Sequence, residues 1–196
     1  MKKLLILAIV ALASLTASAQ QPVGTWSVTP KVGFNLATIT DLEDAGMKFG
    51  VVTGADLTYQ LQEKFAISAG AFYSMQGAKY KHDGITDTWK LDYINVPVLA
   101  NFYVIPGLAI KAGIQPGFNL SHKFKRESQG NSGEGDIDHF KSFDLSIPIG
   151  ASYEISDFVI DARYNFGLTK LWDVSGSSSK NSVIQVTVGY KIPLGN

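Results

Sequence analysis

A chain of 196 residues with 17 basic and 17 acidic side chains, 45% hydrophobic residues and no cysteine suits one domain and carries no charge excess for nucleic acid. The absence of thiols excludes disulfides, thiolate metal centres, a cysteine nucleophile and the lipid-modified cysteine of a lipoprotein.

The chain opens MKKLLILAIVALASLTASAQ, with Lys2 and Lys3, an apolar run from Leu4 to Leu15, and an A-x-A pattern at Ala17, Ser18 and Ala19. That order reads as a secretory signal peptide over residues 1–19, because the run is shorter than the roughly 18 to 20 residues a spanning helix needs. Cleavage after Ala19 leaves a domain over residues 20–196, with 15 basic against 17 acidic side chains once Lys2 and Lys3 are gone.

From Trp26 onward apolar residues recur at every second position, the period of a strand. Eight strands are predicted, over 26–38, 47–60, 64–80, 89–104, 108–124, 140–155, 158–170 and 182–192. The connections alternate in length: DLEDAG, KHDGITD, KRESQGNSGEGDID and DVSGSSSKN are long, whereas QEK, IPG and SD are tight. Long loops at one end and short periplasmic turns at the other are the habit of outer-membrane barrels. Both termini then fall at the tight-turn end, and the polar loop from Lys125 to Asp138 reads as mobile.

Side-chain volume decides which face points inward. The first strand sets Trp26, Val28, Val32, Phe34 and Leu36 against Ser27, Thr29, Lys31, Gly33, Asn35 and Ala37, and the last two strands repeat the division. An eight-stranded barrel has room for small inward side chains only, and a continuous bulky exterior tolerates no solvent but lipid. Closure also pairs every backbone group in hydrocarbon. The predicted fold is therefore all-β, an eight-stranded antiparallel up-and-down transmembrane β-barrel. Trp26, Tyr59, Phe65, Phe158 and Tyr190 near one end and Trp89, Phe124, Phe143 and Trp172 near the other supply an aromatic girdle at each interface. Pro97, Pro116 and Pro148 fall within strands and predict bulges there.

The stretches LDYINVPVLANFYV, DLSIPIGASYEI, ARYNFGLTKL and VGYKIPL resemble, in this order, the landmarks of the PorT-like outer-membrane β-barrel family of Bacteroidota. The matching positions are Tyr93, Pro97 and Leu99, then Gly150, Tyr153 and Glu154, then Arg163, Tyr164, Asn165, Gly167 and Leu168, then Gly189, Tyr190 and Lys191. The resemblance spans essentially the whole chain beyond the signal peptide. It implies a small outer-membrane barrel, and it carries over no catalytic residue.

The small face also holds a predicted lumen charge network of Lys31, Lys111, Arg163 and Lys191 with Asp56, Asp144, Glu154 and Asp161. Unpaired buried charges are costly, so these close into a hydrogen-bonded plug; a proton or ion path is the competing reading. His82, His122 and His139 raise lipid A modification as a third possibility, yet Ser121 and His122 are strand neighbours and point to opposite faces. Glu134, Asp136, Asp138 and His139 crowd one loop without the spacing of a calcium motif, so no metal and no cofactor is expected.

The function expected is a structural, adhesive or accessory role at the bacterial envelope, not an enzyme, with a porin-like barrel for a small solute or lipidic ligand as the alternative. The partners expected are outer-membrane lipid and an envelope protein met through the long loops; no residue pattern specifies an oligomeric state.

Overall fold

The structure is a computed structural model, and it describes residues 21–41, 45–128, 131–137, 140–172 and 178–194. The signal-peptide expectation lies outside the described residues. Among the described residues eleven strands form one antiparallel sheet: β1 (Trp26–Ile39), β2 (Gly46–Gln62), β3 (Phe65–His82), β4 (Ile85–Asn95), β5 (Val98–Ile105), β6 (Leu108–Ser128), β7 (Asn131–Asp136), β8 (Phe143–Ile155), β9 (Phe158–Gly167), β10 (Asn181–Tyr190) and β11 (Ile192–Leu194).

Eight staves close into a ring. β4 and β5 make one stave, since both keep the same register against β3 and β6 across Val96 and Pro97. β10 and β11 likewise continue one another along β1 across Lys191. β1 pairs with β2 on one side and with β10 on the other, so the sheet has no open edge around the ring. This is an up-and-down barrel, as its period-two sequence requires. β7 stands outside the ring and lengthens the far end of β6 as a hairpin.

Two expectations about the backbone are corrected. The ladder runs in register past Pro97, Pro116 and Pro148, with Pro116 opposite Leu145 and Pro148 opposite Asn165. Each proline forgoes a bond without inserting a residue. The shifts lie elsewhere, among them one between Asp92 and Tyr93, where Asp92 faces Ser121 and Tyr93 faces Asn119, leaving Leu120 as the extra residue of β6. A bulge reverses the facing of every residue beyond it. The connection KHDGITD is also not a long loop: β3 and β4 run to a two-residue turn at Asp83 and Gly84, both with positive φ (44° and 77°), the conformation that the Asp-Gly pair favours.

The outer wall is apolar. Val32, Phe34, Val51, Ile67, Phe102, Ile110, Ile114, Phe118, Ile149, Ile160, Phe166 and Val188 are exposed, in a band that only lipid covers without cost. The inner wall is mostly small and polar, but one stave departs from this. β4 and β5 turn Leu91, Tyr93, Leu99 and Tyr103 inward and bury them. Phe72 of β3 joins them, and its ring lies where a Cβ at Gly54 or Gly70 would approach it to 2.7 Å. Gly54 on the neighbouring β2 and Gly70 two residues back on β3 itself give this inward ring its space.

Candidate functional site: the lumen and the loop-end hairpin

Lys31, Lys111 and Arg163 converge on Asp161 from β1, β6 and the same strand β9. Asp161 is 0% exposed; its Oδ2 lies 3.0 Å from Lys31 Nζ and 2.7 Å from Lys111 Nζ, and its Oδ1 3.0 Å from Arg163 Nε. Lys31 also lies 2.7 Å from Asp56 Oδ2. Arg163 keeps its guanidinium 5.6 Å over the Phe72 ring, a favourable place for a cation. Toward the tight-turn end Lys191 pairs with Glu154, which accepts a bond from Tyr103 Oη at 2.9 Å.

Between the two groups lies a cavity of about 20 Å³, lined by residues that include Lys31, Asp56, Tyr103, Lys111, Glu154 and Lys191. That is room for roughly one water. Seven of the eight charges expected in the lumen thus meet in two linked groups. Asp144 stands apart. It lies near the loop end, where it accepts from Thr169 Oγ1 and, at 2.9 Å, from Asn181 Nδ2, whose amide also donates to Tyr93 Oη at 3.2 Å.

The loop end is closed by apolar packing that the inward-polar rule misses. Ile39, Ala78, Leu91, Tyr93 and Leu171 form a buried cluster, with Ala45, Trp89, Ile137, Phe140 and Trp172 packed on it. Phe140 and Trp172 also form an isolated bridge, their rings edge to face at 6.1 Å. The sequence held one signal for this. In YINVPVLANFYV both alternating sets are bulky, the mark of a strand covered on both faces.

The aromatic residues divide accordingly. At the tight-turn end Trp26 packs on Tyr59 (4.6 Å) and Phe158 on Tyr190 (5.3 Å), while Phe65 sits opposite Phe102. At the other end Phe143 is exposed and meets Phe118 at 5.8 Å. Trp89, Phe124 and Trp172 are corrected. Trp89 shares the inward face of Leu91 and Tyr93 and meets Phe124 at 5.3 Å, because the extra residue at Leu120 turns Phe124 inward.

The catalytic and metal possibilities find little geometry. Ser121 faces Asp92 and His122 faces Leu91, so the two point apart. His122 Nδ1 lies 2.9 Å from Asn119 Oδ1, and its ring stacks on Phe140 at 5.2 Å. The His82 ring lies 4.8 Å from that of Tyr80, tilted by 35°. Among the described residues no group of three or more possible ligands could hold a metal. Asp138 and His139 lie outside the described residues, and Glu134 is engaged by Lys90 and, at 3.2 Å, by Lys123.

Within the segment expected to be a loop, the described residues pair as strands, since β6 runs on to Ser128 and β7 pairs with it. The segment carries its own ion pairs beyond the apolar belt. Arg126 forks onto Asp87 at 2.7 and 2.8 Å, and that guanidinium holds the Asp87 carboxyl below the usual range. A carboxyl depressed in the folded state contributes stability above its unfolded pKa of about 3.9 and loses it as pH falls through the folded value. Proteolysis of the β3–β4 hairpin should therefore hold constant from neutral pH to about 4 and accelerate below it; in Asp87→Asn the share carried by the Arg126 pair should be lost, while the Glu134 pairs with Lys90 and Lys123 keep theirs.

The chain is similar to solved structures. The chain is 18% identical to Ail, the attachment invasion locus protein of Yersinia pestis, solved in complex with the heparin analogue sucrose octasulfate, over 87% of this chain and 100% of that one at a TM-score of 0.52. Neisserial surface protein A gives 15% identity, 85% and 96% coverage and 0.48; OprG of Pseudomonas aeruginosa gives 11%, 90% and 99%, and 0.40. At 18% identity the likeness to Ail is one of fold. No curated protein matches the sequence. Residues 17–173 match the outer membrane protein beta-barrel domain, and the chain belongs to that family of the outer membrane.

Proposed function

We propose that this protein acts at the envelope as a plugged outer-membrane barrel, in a structural, adhesive or accessory role exerted through its loop end and not through its lumen. The observation that carries the reading is the double closure of the interior. The ion-paired groups around Asp161 and Glu154 fill the tight-turn half, and the cluster of Leu91, Tyr93 and Leu171 fills the loop half.

Among the described residues a polar surface for a partner is offered by β6 and β7 with the adjoining β4, where Lys90, Lys123 and Glu134 meet. It favours an envelope partner met by charge, as complementary potentials would steer it. That Ser121 and His122 point apart favours a non-enzymatic role. The PorT-like landmarks around Tyr93, Arg163 and Tyr190 favour that branch of the family, and residues 1–19 favour export through a cleaved signal peptide.

The reading is tested by replacing residues 126–137 with a short Gly/Ser turn in the native organism. The shortened protein should still reach the membrane folded, while the envelope phenotype matches that of a full deletion. A wild-type phenotype from the shortened protein would shift the role back to the barrel itself.

A further inference from the structure

Among the described residues β7 pairs with β6 on one side and with no strand on the other, and all six of its residues are exposed. Ile137 N donates to His122 O at 3.1 Å, which fixes the alternation of the ladder above it. Gly135, Gly133 and Asn131 exchange bonds with Phe124, Arg126 and Ser128, the residues opposite them. Ser132, Glu134 and Asp136 therefore turn their N–H and C=O groups away from β6. A row of such groups on an exposed strand is a template for another strand.

A second copy of β7 suits this edge poorly. Antiparallel pairing centred on Glu134 sets that carboxylate against its own copy, and the register one pair along sets it against Asp136; like charges directly opposite are destabilising. The two faces of β7 select a different occupant. On one, Glu134 and Asp136 call for Lys or Arg opposite them. Glu134 already meets Lys90 and Lys123, and a carboxylate with about four acceptor sites has room for a third cation. On the other, a Cβ at Gly133 or Gly135 would meet nothing within 4 Å. A large side chain from an added strand can lie across these glycines toward the ring of Phe124, over which Arg126 sits at 5.4 Å.

We propose that β7 takes up an extended segment of a partner protein by strand addition, with basic residues opposite Glu134 and Asp136 alternating with aromatic or β-branched residues over Gly133 and Gly135. Main-chain bonds supply the affinity and the alternating side chains the specificity. The inference rests on the loop-end role proposed above and gives it a binding mode and a partner chemistry.

The test uses the full chain folded in phosphatidylcholine nanodiscs. The probe is a synthetic peptide of about eight residues, long enough to span β7, that alternates Lys with Tyr and Val; binding is read by fluorescence anisotropy against empty discs. Saturable binding is expected. N-methylation of every second amide should lower it about ten-fold or more in one phase and leave it little changed in the other, because only one set of amides faces β7. Ser132→Pro removes an outward N–H without touching a bond to β6 and should weaken binding to a similar extent, whereas Ser132→Ala should bind as wild type. No saturable binding by wild type, equal affinity of the two methylated peptides, or equal affinity of a peptide with the same residues in blocks overturns strand addition. The methylated pair is read on the wild type, so the outcome stands even where Ser132→Pro fails to fold. Failure of binding leaves the loop-end role to the phenotype of the chain shortened over residues 126–137, and a wild-type phenotype there strikes that role without bearing on the binding.

Discussion

Asp161→Ala should destabilise the folded barrel by on the order of 3–5 kcal/mol, the cost of leaving buried charge without its partner. Lys31, Lys111 and Arg163 all lean on this one carboxylate, and Asp56, 2.7 Å from Lys31 and 3.9 Å from Arg163, would be left to balance three cations. With urea slopes of about 1–3 kcal/mol per molar, the midpoint of unfolding from phospholipid vesicles should fall by about 1–5 M. Asp161→Asn keeps the volume and should lose nearly as much, which isolates charge from packing. Adding Lys111→Met to Asp161→Asn should recover part of the loss, because it removes one of the stranded cations; a double-mutant cycle reads that coupling directly. A midpoint unchanged in Asp161→Asn would mean that the lumen charges are solvated individually and form no network.

The second large effect is expected at the opposite end of the lumen. Leu91→Ala and Leu171→Ala should each cost about 2–5 kcal/mol, the range for truncating a buried leucine. Both are at or below 1% exposure and share one cluster. Sharing a cavity, the two together should cost less than the sum of the singles. Leu171 is the sharper probe of closure, because it lies outside the regular strands and reaches the cluster only if the chain folds back over the mouth. A cost under about 0.5 kcal/mol for Leu171→Ala, the level of ordinary surface substitutions, would show that the mouth is not packed.

Much of the fold was legible because a strand's period of two is insensitive to everything but the face each residue meets. The alternation in FVIDARYNFGLTK set Asp161, Arg163 and Asn165 against Phe158, Ile160, Tyr164 and Phe166, and the structure keeps that division along β9. Alternation cannot reveal a slip of one residue. The extra residue at Leu120 left the pattern of β6 apolar enough to read through, and so Phe124 changes face. Proline drew attention because its lost donor is visible in the sequence, whereas a ladder that simply forgoes one bond leaves no trace there.

The charges of the lumen were legible as a set, since buried charges need partners, but their grouping depends on height along the barrel, which register fixes. Asp144 lies too far toward the loops to meet Lys31 or Lys111, and bonds to Thr169 and Asn181 instead. The apolar closure was hidden for a different reason. It joins residues from β1, β3 and β4 to a loop residue, Leu171; the double bulk of YINVPVLANFYV marks the inward side chains of one stave, whereas the contact with Leu171 is made after the ring has closed. The Asp83-Gly84 turn, by contrast, was written in two residues and passed over because the flanking charges looked like loop.

The claim on which the rest depends is that the interior is a plug. Purified protein reconstituted into a planar bilayer tests it most directly, by recording current at the single-molecule level across a range of voltages. A lumen filled by the Asp161 and Glu154 groups and closed over Leu91, Tyr93 and Leu171 should give a flat baseline indistinguishable from lipid alone. Reproducible stepwise openings from the folded wild-type chain would contradict it.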